Sequence, residues 1–178
     1  MANVDDPNGF TPAYHLTGGT IRPAQMRIQS AYDTAIYSGD VCNLSGGYLI
    51  QGTATGAPIG VFAGVYYAKS DGTPVFSRYW TAEVATLGSI DAQAYIYNDP
   101  DIVYEGQFTA GTPAVTFIGN KYTLSTTAGS TNTGRSAEGV TATTSSGVAL
   151  CVGFVDTPSN SIGANARAYF RIPANPFE

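Results

Sequence analysis

The residues able to do chemistry are few and scattered. His15 is the single histidine of the chain. It stands beside Leu16, with no Ser or Cys near it in a nucleophile context, so a Ser–His–Asp site has no footing. One imidazole and two widely separated cysteines, Cys42 and Cys151, fall short of the three or four ligands that zinc sites use. Asp99, Asp101 and Glu105 place hard oxygen donors at alternating positions, a pattern that can hold calcium. Asp99-Pro100-Asp101 is also ordinary turn chemistry, and the turn is the expectation here. A glycosidase needs two carboxylates facing each other across a cleft, and Glu83 and Glu105 sit in contexts that read as solvent-facing. Gly60-Val-Phe-Ala-Gly64 lacks the spacing and the Lys of a phosphate loop. No catalytic, cofactor or metal site is predicted.

The elements that would position such residues are strands. The densest β-signals fill residues 60–108, which read as two hairpins. In the first, an apolar run ending at Ala68 turns through Asp71-Gly72 and returns along Val75-Phe-Ser-Arg-Tyr-Trp80; Gly accepts positive φ and Asp tolerates it. The second is predicted to pair residues 92–97 with 102–108 across Asn98-Asp-Pro-Asp101, because Pro100 stops one strand before the next begins. Ile102, Tyr104, Gly106 and Phe108 share one face of the outgoing strand, and Val103, Glu105 and Gln107 the other.

Upstream, residues 1–18 carry too many breakers for a helix and are predicted to form an extended arm, either lying on an apolar surface through Phe10, Tyr14 and Leu16 or free. Pro23 marks an edge strand or bulge in the run ending at Ile28. Residues 32–37 fit a helical turn or a strand, and Ser45-Gly-Gly47 closes a tight hairpin between Val41-Cys-Asn-Leu44 and Tyr48-Leu-Ile-Gln51. Downstream, residues 114–118 fit a strand or a helical turn. Residues 125–135 form an exposed Ser/Thr/Gly loop, and Val148-Ala-Leu-Cys-Val-Gly-Phe-Val155 suits a core strand. The last strand sets Ala166, Ala168 and Phe170 opposite Arg167, Tyr169 and Arg171. Residues 173–178 end extended. The expected fold is all-β: an antiparallel β-sandwich or β-barrel of about ten short strands spanning residues 19–172, with an extended N-terminal arm.

Composition agrees with a β-domain and limits its partners. With 178 residues the chain can bury one substantial core without disulfides or metals. Apolar residues make up 43% and charged ones only 12%, about half the usual charged share. The formal charge of −5 comes with eight scattered basic residues, which argues against nucleic acid and against an anionic membrane. Residues 1–6 lack the basic and apolar regions of a signal peptide, and synthesis in the cytoplasm is expected, with both cysteines as buried thiols. Tyr66, Tyr67, Phe76, Tyr79, Trp80, Tyr95, Tyr97 and Tyr104 fall on both faces of their strands. Outward ones could serve an interface, a sugar platform, or simply cover neighbours in a large sheet.

Several of these stretches carry a resemblance. Ile59-Gly-Val-Phe-Ala-Gly-Val65, Phe76-Ser-Arg-Tyr-Trp80, Ala94-Tyr-Ile-Tyr-Asn-Asp-Pro100, Gly9-Phe-Thr-Pro12, His15-Leu-Thr-Gly-Gly19 and Gly134-Arg-Ser136 resemble the head decoration, or cement, proteins of short-tailed bacteriophages. The resemblance implies a non-enzymatic virion structural protein on the outer capsid surface, with the major capsid protein as partner and a homotrimer as the favoured assembly. The residues expected at its interfaces are Phe10, Tyr14, Leu16, Tyr66, Tyr79, Trp80 and Phe177. The alternative is a carbohydrate-binding or adhesin-type β-sandwich.

Overall fold

The computed structural model describes residues 3–54, 56–144 and 147–172. Its regular segments are almost all strands: β1 (Thr11–His15), β2 (Ala24–Ile28), β3 (Ile36–Tyr37), β4 (Val41–Ser45), β5 (Tyr48–Gln51), β6 (Gly60–Ala68), β7 (Pro74–Ser77), β8 (Tyr79–Trp80), β9 (Ala92–Tyr97), β10 (Ile102–Ala110), β11 (Lys121–Tyr122), β12 (Leu124–Ser125), β13 (Gly139–Thr141), β14 (Ala149–Phe154) and β15 (Arg167–Arg171). Two short 3₁₀ turns, Leu87–Ser89 and Val115–Phe117, complete them.

The strands make two principal sheets. One runs β11-β14-β15-β10-β13-β12, with β1 added on β10; the other runs β2-β9-β6-β4-β5, with β7 added on β6. In the second sheet β5 returns beside β2, so it curls into a nearly closed barrel. Pairing is antiparallel except between β10 and β13. The fold is therefore all-β and barrel-like.

Two apolar cores follow from this division. The barrel encloses Ile28, Ile36, Cys42, Leu49, Phe62 and Trp80, among others. The second core lies between the other sheet and the outside of the barrel, and it holds Phe10, Tyr104, Phe108, Cys151 and Phe170. Alternation along β4 and β6 links the two: Cys42 and Phe62 point into the barrel, whereas Val41 and Val61 point into the second core. Strands buried on both faces read as unbroken apolar runs, as β6 does. The two thiols lie in different cores, and both are free and buried.

Both tight hairpins form. β4 pairs β5 across Gly46 and Gly47, both at positive φ. β6 pairs β7 across Asp71-Gly72, where Asp71 Oδ1 accepts the Thr73 N–H at 2.8 Å. The return ends at Ser77, however, and Tyr79–Trp80 pairs with β3 instead.

The second expected hairpin does not exist. β9 pairs with β2 and β6 in the barrel, and β10 pairs with β1, β13 and β15 in the other sheet. Residues 98–101 carry the chain from one sheet to the other. The turn chemistry is legible in the sequence, but a turn residue does not say whether the next strand folds back or leaves. The outer face of β10 is also less solvated than its alternation implies, since Val103 and Gln107 are buried.

Residues 3–18 are not a detached arm. Thr11–His15 is strand β1, paired to β10 with a bulge between Pro12 and Tyr14. Before it, the Phe10 N–H donates to the Gly39 carbonyl at 2.9 Å, and Gly9 at φ +68° passes so close to Ser136 and Gly39 that a β-carbon there would collide with them. Gln107 ties down the remainder: its amide donates to the carbonyls of Val4 (2.7 Å) and Asn165 (2.9 Å), and its oxygen accepts the Asp6 N–H at 3.0 Å. The 3₁₀ turn Val115–Phe117 accounts for residues 114–118, and residues 32–37 end in the two-residue strand β3. Residues 173–178 lie outside the described residues.

Candidate functional site

His15, Asp99 and Asp101 come together where β1 ends beside the 98–101 crossover, with one ligand-type atom from each within 4.8 Å of the others. The hydrogen bonds set the proton positions. Backbone N–H groups of Thr17 and Gly19 donate to His15 Nδ1 at 3.3 and 3.2 Å. In the neutral ring Nδ1 is therefore the acceptor, and Nε2 carries the hydrogen that reaches Asp99 Oδ2 at 3.0 Å. Asp99 Oδ1 accepts the Asp101 N–H at 2.9 Å, closing a turn on its own side chain. That bond, then the one from His15, holds the Asp99 carboxyl below its usual range. Asp101 Oδ1 accepts from the Arg171 guanidinium at 3.3 Å.

This donor set fits a metal poorly. A cation at Nε2 would displace the proton while two N–H groups still point at Nδ1, leaving an imidazolate, and Asp101 would have to leave Arg171. The corner works as a clamp that fastens the end of β1 to the crossover. EDTA or millimolar calcium is expected to move the thermal midpoint by less than about 1 °C; a calcium-reversible fall would reinstate a metal at this corner. Glu105 is likewise engaged, accepting from Arg167 at 3.1 Å. Glu83, at φ +60°, is exposed in a loop far along the chain from it.

A second acidic constellation, absent from the sequence reading, lies inside the protein. Asp40, just before β4, and Glu138, just before β13, are both fully buried. Asp40 Oδ2 accepts the Tyr37 N–H at 2.7 Å, and Glu138 Oε2 accepts the Val41 N–H at 2.8 Å. The Ser136 hydroxyl accepts the Glu138 N–H at 2.8 Å and also bonds the Asp40 side chain. Asp40 Oδ1 and Glu138 Oε1 have no hydrogen-bond partner among the described residues. Burial pushes Asp40 up to about 6 against the pull of Ser136 and Tyr37. Burial, then the nearby Asp40 charge, pushes Glu138 well above the carboxylate range.

The pair can take up protons but has no access to a substrate, for both residues are fully buried. Burial, then the charges of Asp40 and Glu138, also raises the Cys42 thiol, and burial raises Cys151, so neither thiol is poised for reaction. In the sequence, Asp40 has the look of a turn residue after Ser38-Gly39, and Glu138 that of the edge of a polar loop. Only the fold reveals that both face inward.

The residues expected at interfaces divide. Phe10 (1% exposed) and Trp80 (0%) are core residues and offer no surface. Phe10 packs edge-on against Phe170 at 5.9 Å, and Trp80 packs against Tyr67 at 5.3 Å while its indole N–H donates to the Tyr32 carbonyl. The sequence puts both outside because arm and return strand look peripheral, whereas each is held by strands distant in the chain. Tyr79 is half-buried and stacked on Tyr37. Tyr14 (43% exposed) and Leu16 (48%) are outward, Tyr14 resting edge-on against Tyr169. Tyr66 is half-buried beneath Phe76, ring centroids 4.5 Å apart, and Phe76 is 78% exposed. Phe177 lies outside the described residues. Beside Tyr66 an apolar cleft of about 150 Å³ opens between Tyr67, Leu87 and Ile90, and Ile90 is 69% exposed. No family model matches the chain, and neither does any curated protein or solved structure.

Proposed function

We propose that this protein is a virion structural protein that decorates an icosahedral phage head, bridging major capsid proteins on the outer surface. The observation that carries the reading is the contiguous outward patch of Phe76, Tyr66, Leu87 and Ile90 on the barrel. Large apolar side chains gathered around an open cleft mark a surface that association would dry. In this role no bond is made or broken. The protein adds buried area across capsomer boundaries, at roughly 25 cal/mol per Å² of apolar surface, against the outward pressure of packaged DNA. A closed homotrimer is the favoured form, with interfaces on the order of 2,000 Å² in total. Because Phe10 is internal, the N-terminal contribution to any contact comes from Tyr14 and Leu16.

Purified protein is expected to co-sediment with intact heads and to scatter light as a trimer. Phe76→Ala combined with Ile90→Ala should reduce head binding at least about tenfold, since each deletes an exposed anchor without touching a core. Failure to co-sediment would overturn the role, and a monomeric mass would overturn the trimer. A carbohydrate-binding role is the second reading, favoured by the open Phe76 ring on Tyr66 near Asp91 and Gln93. Saturable glycan binding lost in Phe76→Ala would establish it instead.

A further inference from the structure

Three clefts follow one another along the N-terminal segment. The first, about 320 Å³, lies between that segment and the barrel and is lined by Asn8, Thr11, Ser38, Tyr97, Arg78 and Arg135. The second, about 230 Å³, shares Asn8, Thr11 and Arg135 with it and extends to Arg167. The third, about 330 Å³, shares Asn8, Gln107 and Arg167 with the second. Together they form an open polar trough.

The cations in it are not equivalent. Arg167 is engaged by Glu105. Arg78 and Arg135 make no ion pair and no side-chain hydrogen bond among the described residues. They are nevertheless held near one another: a β-carbon on Gly134 would sit 3.0 Å from Arg78 Cβ. Arg135 has a fixed backbone, because the Ser38 N–H donates to Gly134 and the Ser136 N–H to Ser38, at 3.1 and 2.9 Å, on either side of the Ser38–Arg135 bridge. Arg78 is pinned between β7 and β8. The buried Asp40 carboxyl does not serve as their counter-ion, since the groups that lower it are the Ser136 hydroxyl and the Tyr37 N–H. Arg78 and Arg135 thus extend exposed guanidiniums from neighbouring backbone positions at one cleft, with no internal counter-ion among the described residues, in a chain of net charge −5.

The geometry points to a binding trough for an extended acidic segment of a partner protein, with a carboxylate seated between Arg78 and Arg135. Guanidinium forks match carboxylates bidentately. The succession of clefts offers room for a chain rather than for one small anion; no carboxylate lines the first cleft, whereas Asp6 and Glu105 line the second beside Arg135 and Arg167, which favours a segment whose negative charge is concentrated at the end seated in the first cleft. This inference is independent of the head-decoration reading and survives its failure.

The test is fluorescence anisotropy of a labelled hexaglutamate peptide with the full chain at low salt, beside a hexaglutamine peptide, inorganic phosphate and oligogalacturonate as competitors. Hexaglutamate is expected to bind saturably and to weaken with salt. Arg78→Gln and Arg135→Gln should each cost about tenfold or more, whereas Arg22→Gln should cost nothing. Thermal midpoints of the variants, expected unchanged at these exposed sites, separate lost binding from lost folding. Absence of saturable binding, or affinity unaltered by both substitutions, would overturn the trough. Tighter competition by phosphate or by oligogalacturonate would overturn its assignment to a peptide.

Discussion

Glu138→Gln is expected to stabilise the protein at pH 8 and to flatten its pH–stability profile. In the folded state both carboxyls of the Asp40–Glu138 pair are raised, Asp40 to about 6 and Glu138 well above its usual range, with burial the leading cause for each. The pair therefore holds more protons in the folded state than in the unfolded chain from about pH 4 upward, and its contribution to stability falls as pH rises through the folded values. For Asp40 alone the shift from 3.8 to about 6 corresponds to roughly 3 kcal/mol between pH 4 and 7. This slope is opposite in sign to ordinary acid denaturation. Glutamine keeps an acceptor for the Val41 N–H, removes one charge, and brings an amide donor where two carboxyl oxygens have no partner. At pH 8 the variant should exceed the parent by about 1–3 kcal/mol, and at pH 4.5 the two should nearly coincide. Urea unfolding at the two pH values reads this directly. A parent whose stability climbs steadily from pH 4.5 to 8 would refute it.

Phe10→Ala is expected to cost about 3–5 kcal/mol, the range for a buried phenylalanine, or a fall of roughly 10 °C in thermal midpoint. The ring lies against Gly106, where an added β-carbon would stand 3.1 Å from it, and edge-on to Phe170. Removing it opens a cavity under β1 as well as losing apolar contact. A truncated chain beginning at Gly18 should fare worse, for it lacks β1, the Gln107 contacts to residues 4 and 6, and the His15 clamp. If Phe10→Ala melted within about 1 °C of the parent, the N-terminal segment would be an appendage after all.

What is legible from the sequence is local. Strand character, the Gly46-Gly47 and Asp71-Gly72 turns, the inward Ala166, Ala168 and Phe170, and the all-β class all depend on residues within a few positions of each other. What it hides depends on partners far away. Nothing in residues 92–108 distinguishes a hairpin from a crossover, since Asn98-Asp-Pro-Asp101 suits both. Phe10 finds its pocket between residues contributed at 106 and 170. The His15–Asp99 bond and the Asp40–Glu138 pair each join residues over eighty positions apart. Alternation puts Phe10, Tyr14 and Leu16 on one face, but the bulge between Pro12 and Tyr14 interrupts it, so Phe10 is buried while Tyr14 and Leu16 point outward; Trp80 is misplaced because its strand pairs with β3 rather than continuing β7.

The distribution of the two cores along the chain has a consequence for biosynthesis. Every residue of the barrel core lies between positions 24 and 96, so that half can close while the ribosome is still extending the chain. The other core draws on residue 10 and on residues as late as 172, and β10 receives β15 only once residues 167–171 have been made. Until then β10 presents an open edge and Phe10 has no complete pocket, which makes the nascent chain most prone to mispairing between the emergence of β10 and that of β15. Slowing translation over residues 111–166 would lengthen that interval, whereas slowing it before residue 97 would not.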